Sequence, residues 1–544
     1  MHHVAASILV DGTVDAVVRE PTQLLSRLGA WLGSRRWSGL RGVSPIVVRA
    51  LDSAIIGNAS SHLTLVAVVE ATGRRQGDKF TERYYVPLLI GIGEATRPGA
   101  VSVQCRDGAL NVVEAERTLA YNACLLALFD SVASVTTSVG ATLLHRRRRE
   151  VTGPLGKPRA VTVLGNADTT NLVVKIERDG LPALVVKTYK KITEVNPEPE
   201  MLAALADAGF RNCPAVIGEV VYLRDRALVV SLLESYVESV GDGSAPFSDA
   251  LTRRLGVSGS SRSRSDQRQW FPATDHASKL GQVIAEFHHA TLRHYGGGRI
   301  TSDDAERWRN RFLANLEACI DSAYARDARS LPELSDHVVA FLLSEVEHNR
   351  TRLEQLASFE NLVGLPKIRT HQDLHLAQLL ARNGEDLGFT IIDFEGDPQR
   401  TGPARNEEES PLRDLGTMMR SFAYVQYTTL ATLLAPLSLP EALATIAYFK
   451  RTQHVPPVRC QANIGALTTM VCVSTAWVKA VEYAVVRGYV DAVTDPYLRP
   501  DCGIDAVLSV WTTEKAVLEI RYELDHRPHN AVIPLEGLLS CLAR

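Results

Sequence analysis

The chain has no CxxC pair, and its eight cysteines (105, 124, 213, 319, 460, 472, 502 and 541) follow neither metal-ligand nor disulfide-scaffold spacing. That scatter excludes a zinc ribbon or a disulfide-stapled domain and fits reduced thiols in a cytoplasmic protein. No charge of one sign dominates: 59 basic and 62 acidic residues leave −3, so nothing global advertises nucleic-acid binding. The start, MHHVAASILVDG, lacks the basic head and long apolar core of a signal peptide. No internal repeat is visible, which excludes solenoids and propellers. Charge is missing altogether from 421–440 and 460–478, each near the length that spans a bilayer. The first holds Gln426, Pro436 and Pro440, and the second Gln461, Asn463 and Gly465. Both are therefore expected to be buried helices of a large soluble domain, with no membrane partner.

What is present is the composition of a globular protein, 45% hydrophobic and 22% charged over 544 residues, too long for one core. Near the start, Leu24, Leu25, Leu28, Trp31 and Leu32 form an amphipathic segment. The runs SPIVVRAL, LTLVAVVEA and RYYVPLLIG read as strands, and a helix is expected around Glu114–Asp130. The basic run HRRRRE at 145–150 has no interleaved aromatics and reads as a solvated element end. From Arg159, RAVTVLG, NLVVKIE and ALVVKTY predict three antiparallel strands, followed by a helix after NPEPE and a hairpin ending near Val237. The Ser/Arg-rich segment 257–269 reads as an inserted loop. Beyond it the 3.6-residue period of Leu280, Val283, Ile284 and Phe287 opens a helical region reaching the C-terminus.

The densest chemistry lies in IRTHQDLHLAQLLARNGEDLGFTIIDFEGDP, residues 368–398. A strand, a polar loop and a hairpin would bring Asp373, Gln378 and Asp393 near one point. Phosphoryl transfer needs such groups: one carboxylate to receive or orient the attacking hydroxyl, and oxygen ligands for magnesium. Asp373 fits the first role, Gln378 and Asp393 the second, and Glu395 a further metal contact. A rival is a metal site in which His371, Asp373 and His375, alternating along an extended segment, share one face. Upstream, LGNADTTN (164–171) is small and polar enough to fold over phosphates. Lys187 on a strand would reach them, and Glu200 at the following helix start would pair with it.

Lys187, Glu200, HQDLHLAQ and IIDFEGDP, in this order, resemble the aminoglycoside phosphotransferase and protein-kinase-like superfamily. RRWSGLRG (35–42), GNADTTN, NPEPE, SPLRDLGTMMRSFAY (410–424) and EKAVLEIRYELDHRPHNAVIPLEGL (514–538) resemble the maltokinases within it, over nearly the whole length. The chain departs from that pattern at Gln372, Leu40, Arg41 and Ser244 and in the 257–269 insertion.

The resemblance implies an α+β, bilobal protein-kinase-like fold with an N-terminal α/β cap. The cap would span 1–105, a nucleotide-binding lobe 106–237 and a mostly helical lobe 238–544. It further implies ATP and Mg2+ as cofactors, and a cytoplasmic monomer that phosphorylates maltose at its anomeric hydroxyl for α-glucan synthesis. Asp373 would be the catalytic base, Gln378 and Asp393 magnesium ligands, and Lys187 with Glu200 the phosphate lysine and its partner. A hinge at Glu234–Val237 would meet adenine. The acceptor is expected near Asp373, His375, Arg413, Asp414 and Arg420. Tyr424, Trp477 and Tyr483 are candidate walls that read equally as core. Glucosamine is the alternative acceptor, and a catalytically silent nucleotide-binding regulator the alternative of another class.

Overall fold

The computed structural model describes residues 7–59, 61–75, 77–93, 99–149, 151–165, 170–257, 271–325, 331–382, 388–456, 464–499 and 503–542. They divide into two compact units, Met1–Leu202 with Pro214–Tyr236, and Ala203–Cys213 with Val237–Arg544.

The first unit contains two sheets. Strands β1 (Ser7–Leu9), β2 (Val47–Ala59), β3 (His62–Arg75), β4 (Asp78–Ile92), β5 (Val101–Gln104) and β6 (Ala109–Glu114) lie in the order β1-β5-β6-β4-β3-β2. The three apolar runs read as strands are β2, β3 and β4. Successive strand residues face opposite sides, so β3 sends Leu63, Leu65, Ala67 and Val69 into one core and Val66 and Val68 into another. Cover on both faces is why this strand is continuously apolar rather than alternating. Helices α1 (Val14–Arg19), α2 (Thr22–Ser26) and α3 (Gly29–Gly33) flank the first core, which takes in Leu24, Leu25, Leu28, Trp31 and Leu32. Helix α4 (Leu119–Asp130) supplies Tyr121, Leu125, Leu126 and Phe129 to the second.

The second sheet comprises β7 (Ser134–Thr136), β8 (Thr142–Arg147), β9 (Pro158–Leu164), β10 (Leu172–Arg178), β11 (Leu181–Thr188), β12 (Val216–Leu223) and β13 (Ala227–Ser235), in the order β7-β8-β12-β13-β11-β10-β9. The three antiparallel strands expected after Arg159 are β9, β10 and β11, with Val173 opposite both Leu164 and Lys187. Most of the expected phosphate loop between β9 and β10, residues 166–169, lies outside the described residues. Helix α5 (Glu198–Asp207) follows β11.

The RRWSGLRG segment has a structural task in this unit. Trp37 donates its indole N–H to Glu114 at 2.6 Å, and Arg117 holds the same carboxylate at 2.7 Å. Lys190, two residues past β11, is fully buried in an ion pair with Glu116 and lies 5.0 Å over the Trp37 ring. The Lys190 carbonyl accepts from the Tyr85 amide of β4 at 2.8 Å. The chain leaving β11 is thereby bound to the first sheet.

The second unit is mostly helical. It contains β14 (Ser239–Asp242), α6 (Ala245–Val257), α7 (Phe271–Tyr295), β15 (Gly298–Arg299), α8 (Ser302–Ala325), α9 (Glu333–His348) and α10 (Arg350–Leu356). Then come β16 (Pro366–Arg369), β17 (Leu379–Arg382), β18 (Gly388–Ile391), β19 (Glu408–Glu409), α11 (Pro411–Thr432), α12 (Leu439–Thr452), α13 (Ile464–Ala492), α14 (Ile504–His526) and α15 (Val532–Cys541). Two three-stranded sheets, β14-β17-β18 and β15-β16-β19, brace the loops of interest.

The uncharged stretch 421–440 is not one helix: α11 ends at Thr432 and α12 begins at Leu439. Among the described residues one helix, Gly465–Ala492, is long and apolar enough to cross a membrane, with mean hydropathy 1.3. It carries Lys479, Glu482, Arg487 and Asp491, and buries Trp477, Val481, Val485 and Tyr489. Gly281 of α7 and Gly488 of α13 meet the facing backbone so closely that a Cβ on either would collide with Val485 or Ser278. Much of the rest of α13 is open to solvent, so the expectation of a wholly buried helix holds for one face only. Most of the Ser/Arg-rich insertion, 258–270, lies outside the described residues.

Candidate active site

In the first unit, Lys187 sits on β11 between Val173 of β10 and Leu232 of β13. Its ammonium is 2.6 Å from a Glu198 carboxylate oxygen, and Tyr189 donates its hydroxyl to that oxygen at 2.5 Å. Glu198, not Glu200, is the partner. Asn196 takes the Glu198 amide at 3.2 Å and starts the helix there, so the first residue of α5 faces the strand. Glu200, two residues on, falls on the exposed side. Glu234 is buried on β13, opposite Val185 and Val216. Val237, in the second unit, is half-buried.

In the second unit the strand–loop–hairpin is as expected. β16 leads into the loop 370–375, a short 3-10 turn Leu376–Gln378 follows, and β17 pairs with β18 from Leu379↔Ile391 to Arg382↔Gly388. The turn read at Asn383–Asp386 lies outside the described residues. Gly243, in the GDG segment, lies under the loop: its amide approaches the Leu376 and Leu379 carbonyls at 3.0 and 2.9 Å. A Cβ there would press on Leu376 O at 2.7 Å.

Asp373 sits on this loop with its side chain 14% exposed. Lys515 of α14 donates to its Oδ1 at 2.7 Å, and His375 Nε2 lies 3.7 Å from Oδ2. Burial acts to raise the Asp373 carboxyl, but the Lys515 charge, followed by His375, outweighs it and holds the group well below the usual carboxylate range. At the open end of the hairpin, next to the Leu379↔Ile391 pair, Gln378 Nε2 donates to Asp393 Oδ2 at 3.0 Å. Asp393 has φ +67°, a strained conformation for a side-chain-bearing residue, and Glu395 stands two positions on, half-buried. Asp393 and Glu395 offer carboxylate oxygens within 4.8 Å of each other, donors that suit a hard divalent cation such as Mg2+.

The histidine-rich metal site is not formed. Gln372, at φ +68°, breaks the alternation that would align His371, Asp373 and His375. His371 turns inward: its Nε2 meets the Ile392 carbonyl at 3.0 Å, and its ring packs 5.1 Å from Phe394.

Arg413, Asp414 and Arg420, expected to contact the acceptor, are instead spent inside the second unit. Asp414 has no exposure and accepts from the backbone amides of His371 at 2.9 Å and Gln372 at 3.1 Å. His288 of α7 meets the same carboxylate at 3.2 Å and Tyr489 of α13 at 3.1 Å. Arg413 donates to the Gln372 carbonyl at 2.6 Å and lies 3.2 Å from Glu514, 3.3 Å from Glu409 and 3.5 Å from Asp397. Arg420 is 8% exposed and forks onto Glu519 at 2.8 and 3.1 Å. The reason is common to all three: the SPLRD segment begins a helix whose first turns face inward, under the loop, and Ser410 caps it. His375 remains beside Asp373 with its side chain 31% exposed.

Of the candidate walls, Trp477 is core, Tyr483 is 67% exposed, and Tyr424 bonds Glu523 at 3.1 Å. Sequence reasoning missed Lys515, whose one signal was a lone cation before the apolar triplet Ala516–Leu518 on a helix. It also missed Glu198, which sits in the same first helical turn as Glu200, and His288, a single histidine on an otherwise apolar face.

No family model matches the chain. A glucosamine kinase of Mycolicibacterium smegmatis is 27% identical over 290 residues, a match that spans 50% of this chain and 61% of that protein. A solved glucosamine kinase (crystal form B) superposes with TM-score 0.60 at 18% identity, covering 96% of this chain and 99% of that one. A glucosamine kinase in complex with glucosamine, ADP and inorganic phosphate gives TM-score 0.58 at 17% identity, covering 95% and 98%. The α+β, protein-kinase-like fold expected from the sequence is thus the fold of this chain, shared over nearly its whole length with glucosamine kinases of known structure.

Proposed function

We propose that the protein is an ATP-dependent sugar kinase, with an aminosugar such as glucosamine as its acceptor. The carrying observation is the single hairpin whose open end bears the Gln378–Asp393 pair and is entered by the loop on which Lys515 holds Asp373. The acceptor hydroxyl is oriented on Asp373. As its oxygen bonds the γ-phosphorus, the bond to the β–γ bridging oxygen breaks, ADP leaves and the proton passes to the Asp373 carboxylate. Lys187, steadied by Glu198, serves the phosphates, and the backbone from Glu234 to Val237 receives adenine. Asp393, Gln378 and Glu395 would hold magnesium, which would offset the charge of the phosphate oxygens. His375 lies where an acceptor hydroxyl on Asp373 would meet it. Dependence on ATP and reduced thiols suits the cytoplasm.

The relatives named above support an aminosugar over the maltose implied by the motif resemblance. Maltose stays as the second reading for one reason. Of the α14 carboxylates that follow Lys515, the largely buried ones are already engaged, Glu519 by Arg420 and Glu523 by Arg527 at 2.8 Å, while Asp525 faces outward. A neutral sugar needs no free carboxylate, whereas an ammonium does. ADP release measured over glucosamine, maltose, glucose and kanamycin tests both readings. Highest kcat/KM for glucosamine is expected; preference for maltose would transfer the acceptor assignment, and release with none of them would overturn the kinase reading.

A further inference from the structure

The loop that carries Asp373 is held from two helices by two pairs of adjacent residues. From α11, Asp414 takes the amides of His371 and Gln372, while Arg413 takes the Gln372 carbonyl. From α14, Glu514 binds Arg413 at 3.2 Å, and its neighbour Lys515 reaches Asp373 at 2.7 Å. One turn further along α14, Glu519 is forked by Arg420 of α11. The helix is therefore pinned on both sides of Lys515, and the ammonium has little freedom to leave the carboxylate. Its side chain is 12% exposed.

We propose that Lys515 is a positioning residue of the phosphoryl-transfer site, aiming the Asp373 carboxylate through Oδ1 so that Oδ2 receives the acceptor hydroxyl. The inference rests on the kinase reading above. Lys515 occupies Oδ1 at 2.7 Å and His375 Nε2 stands 3.7 Å from Oδ2, so a substrate hydroxyl on Oδ2 would lie beside that imidazole. An aspartate on a loop would otherwise sample other rotamers, and misplacing a reacting group by about 1 Å costs about a hundredfold in rate.

Among the described residues, the largest charges acting on the pair come from its immediate neighbours. Asp373 sees Lys515 and His375, while Lys515 sees Asp373, Asp397 and Glu519. Burial works to lower the Lys515 ammonium, but Asp373, then Asp397 and Glu519, raise it, so it stays charged through neutral pH. Being already protonated, Lys515 takes no proton from the hydroxyl; that proton goes to Asp373 as the new O–P bond forms. With Lys515 removed, burial dominates at Asp373 and its carboxyl titrates at higher pH.

The test compares Lys515→Met, Lys515→Arg and the unaltered chain in two measurements. In steady-state kinetics across pH, Lys515→Met is expected to lose about a hundredfold in kcat with KM for ATP nearly unchanged. Its acid limb should move to higher pH, and Lys515→Arg should recover both in part. In the second, the 13C carboxyl resonance of Asp373, assigned by its loss in Asp373→Asn, is titrated without ATP or sugar. It should shift upward in Lys515→Met. A titration that does not move, or a Lys515→Met enzyme with unaltered kcat and pH profile, overturns the proposal. Were the unaltered chain to phosphorylate no sugar, the kinase reading would fall, and the carboxyl titration would still decide whether Lys515 governs Asp373.

Discussion

Replacing Asp414 by alanine separates two accounts of the SPLRD segment. Asp414 is fully buried and accepts from two backbone amides of the Asp373 loop and approaches His288 at 3.2 Å. Hydrogen bonds to a buried charge are worth about 1.5–3 kcal/mol each, and each amide left without an acceptor costs about 1–3 kcal/mol. Part of this is offset because the carboxylate's own desolvation penalty disappears, leaving a net loss of about 3–5 kcal/mol. Urea unfolding followed by circular dichroism measures it as a lower midpoint at unchanged slope. Asp414→Asn keeps one acceptor oxygen and should lose roughly half as much. In turnover, both variants should lower kcat by one common factor for every acceptor tried, because the loop is loosened rather than a substrate contact removed. Full retention of stability together with a changed ranking of acceptors would refute this reasoning and restore Asp414 as an acceptor ligand.

Glu198→Ala should raise KM for ATP by unsettling the Lys187 ammonium, whereas Glu200→Ala should leave ATP binding unaltered; nucleotide titration of both variants checks it. Asp393→Ala should weaken magnesium-dependent nucleotide binding, read by calorimetry with and without EDTA. The buried Glu409 carboxyl, which burial would raise, is brought down to about 2 by Arg400, Arg413 and Arg311. Its stabilisation is therefore complete above its unfolded-state value and lost as pH falls toward about 2. Acid unfolding monitored by fluorescence should accordingly show a shallower dependence in Glu409→Gln than in the unaltered chain.

Local signals carried the strands and the hairpin. β3 and β4 were legible because runs covered on both faces have no competing helical reading, and Leu379–Ile391 because a polar loop and a turn bracket short apolar stretches. Gln378 and Asp393 lie 15 positions apart, so their contact follows from one hairpin, and Asp373 lies on the loop that leads into it. Lys515 lies 142 positions from its partner, and no periodicity reports a contact of that span. Arg413 and Asp414 misled because charge on an amphipathic helix ordinarily faces water or ligand. Here it faces inward, since the loop beneath offers backbone groups that need partners. The Glu198–Glu200 exchange turned on where α5 begins, the least legible property of any helix.

The second unit thus sets its key loop with buried charge added to the apolar packing of Leu374 and Leu376, and the physical trade explains why. Arg413, Arg400 and Arg311 meet Glu409, Glu514 and Asp397 at separations from 2.6 to 3.8 Å around the chain that follows Asp393. Apolar side chains of equal volume would fold at least as stably, since desolvating such ions consumes most of their attraction. Apolar contacts, however, are non-directional, and they cannot tell a carboxylate turned toward an acceptor from one turned away. Hydrogen-bonded charges can: Arg413 recognises the Gln372 carbonyl only in the unusual φ of that residue, and Asp414 recognises two consecutive amides only when they converge. Truncating one member leaves its partner charged and unpaired, so error in the loop is penalised far more than correct folding is rewarded. That asymmetry is what a site needs whose rate falls steeply with small displacements of one carboxylate.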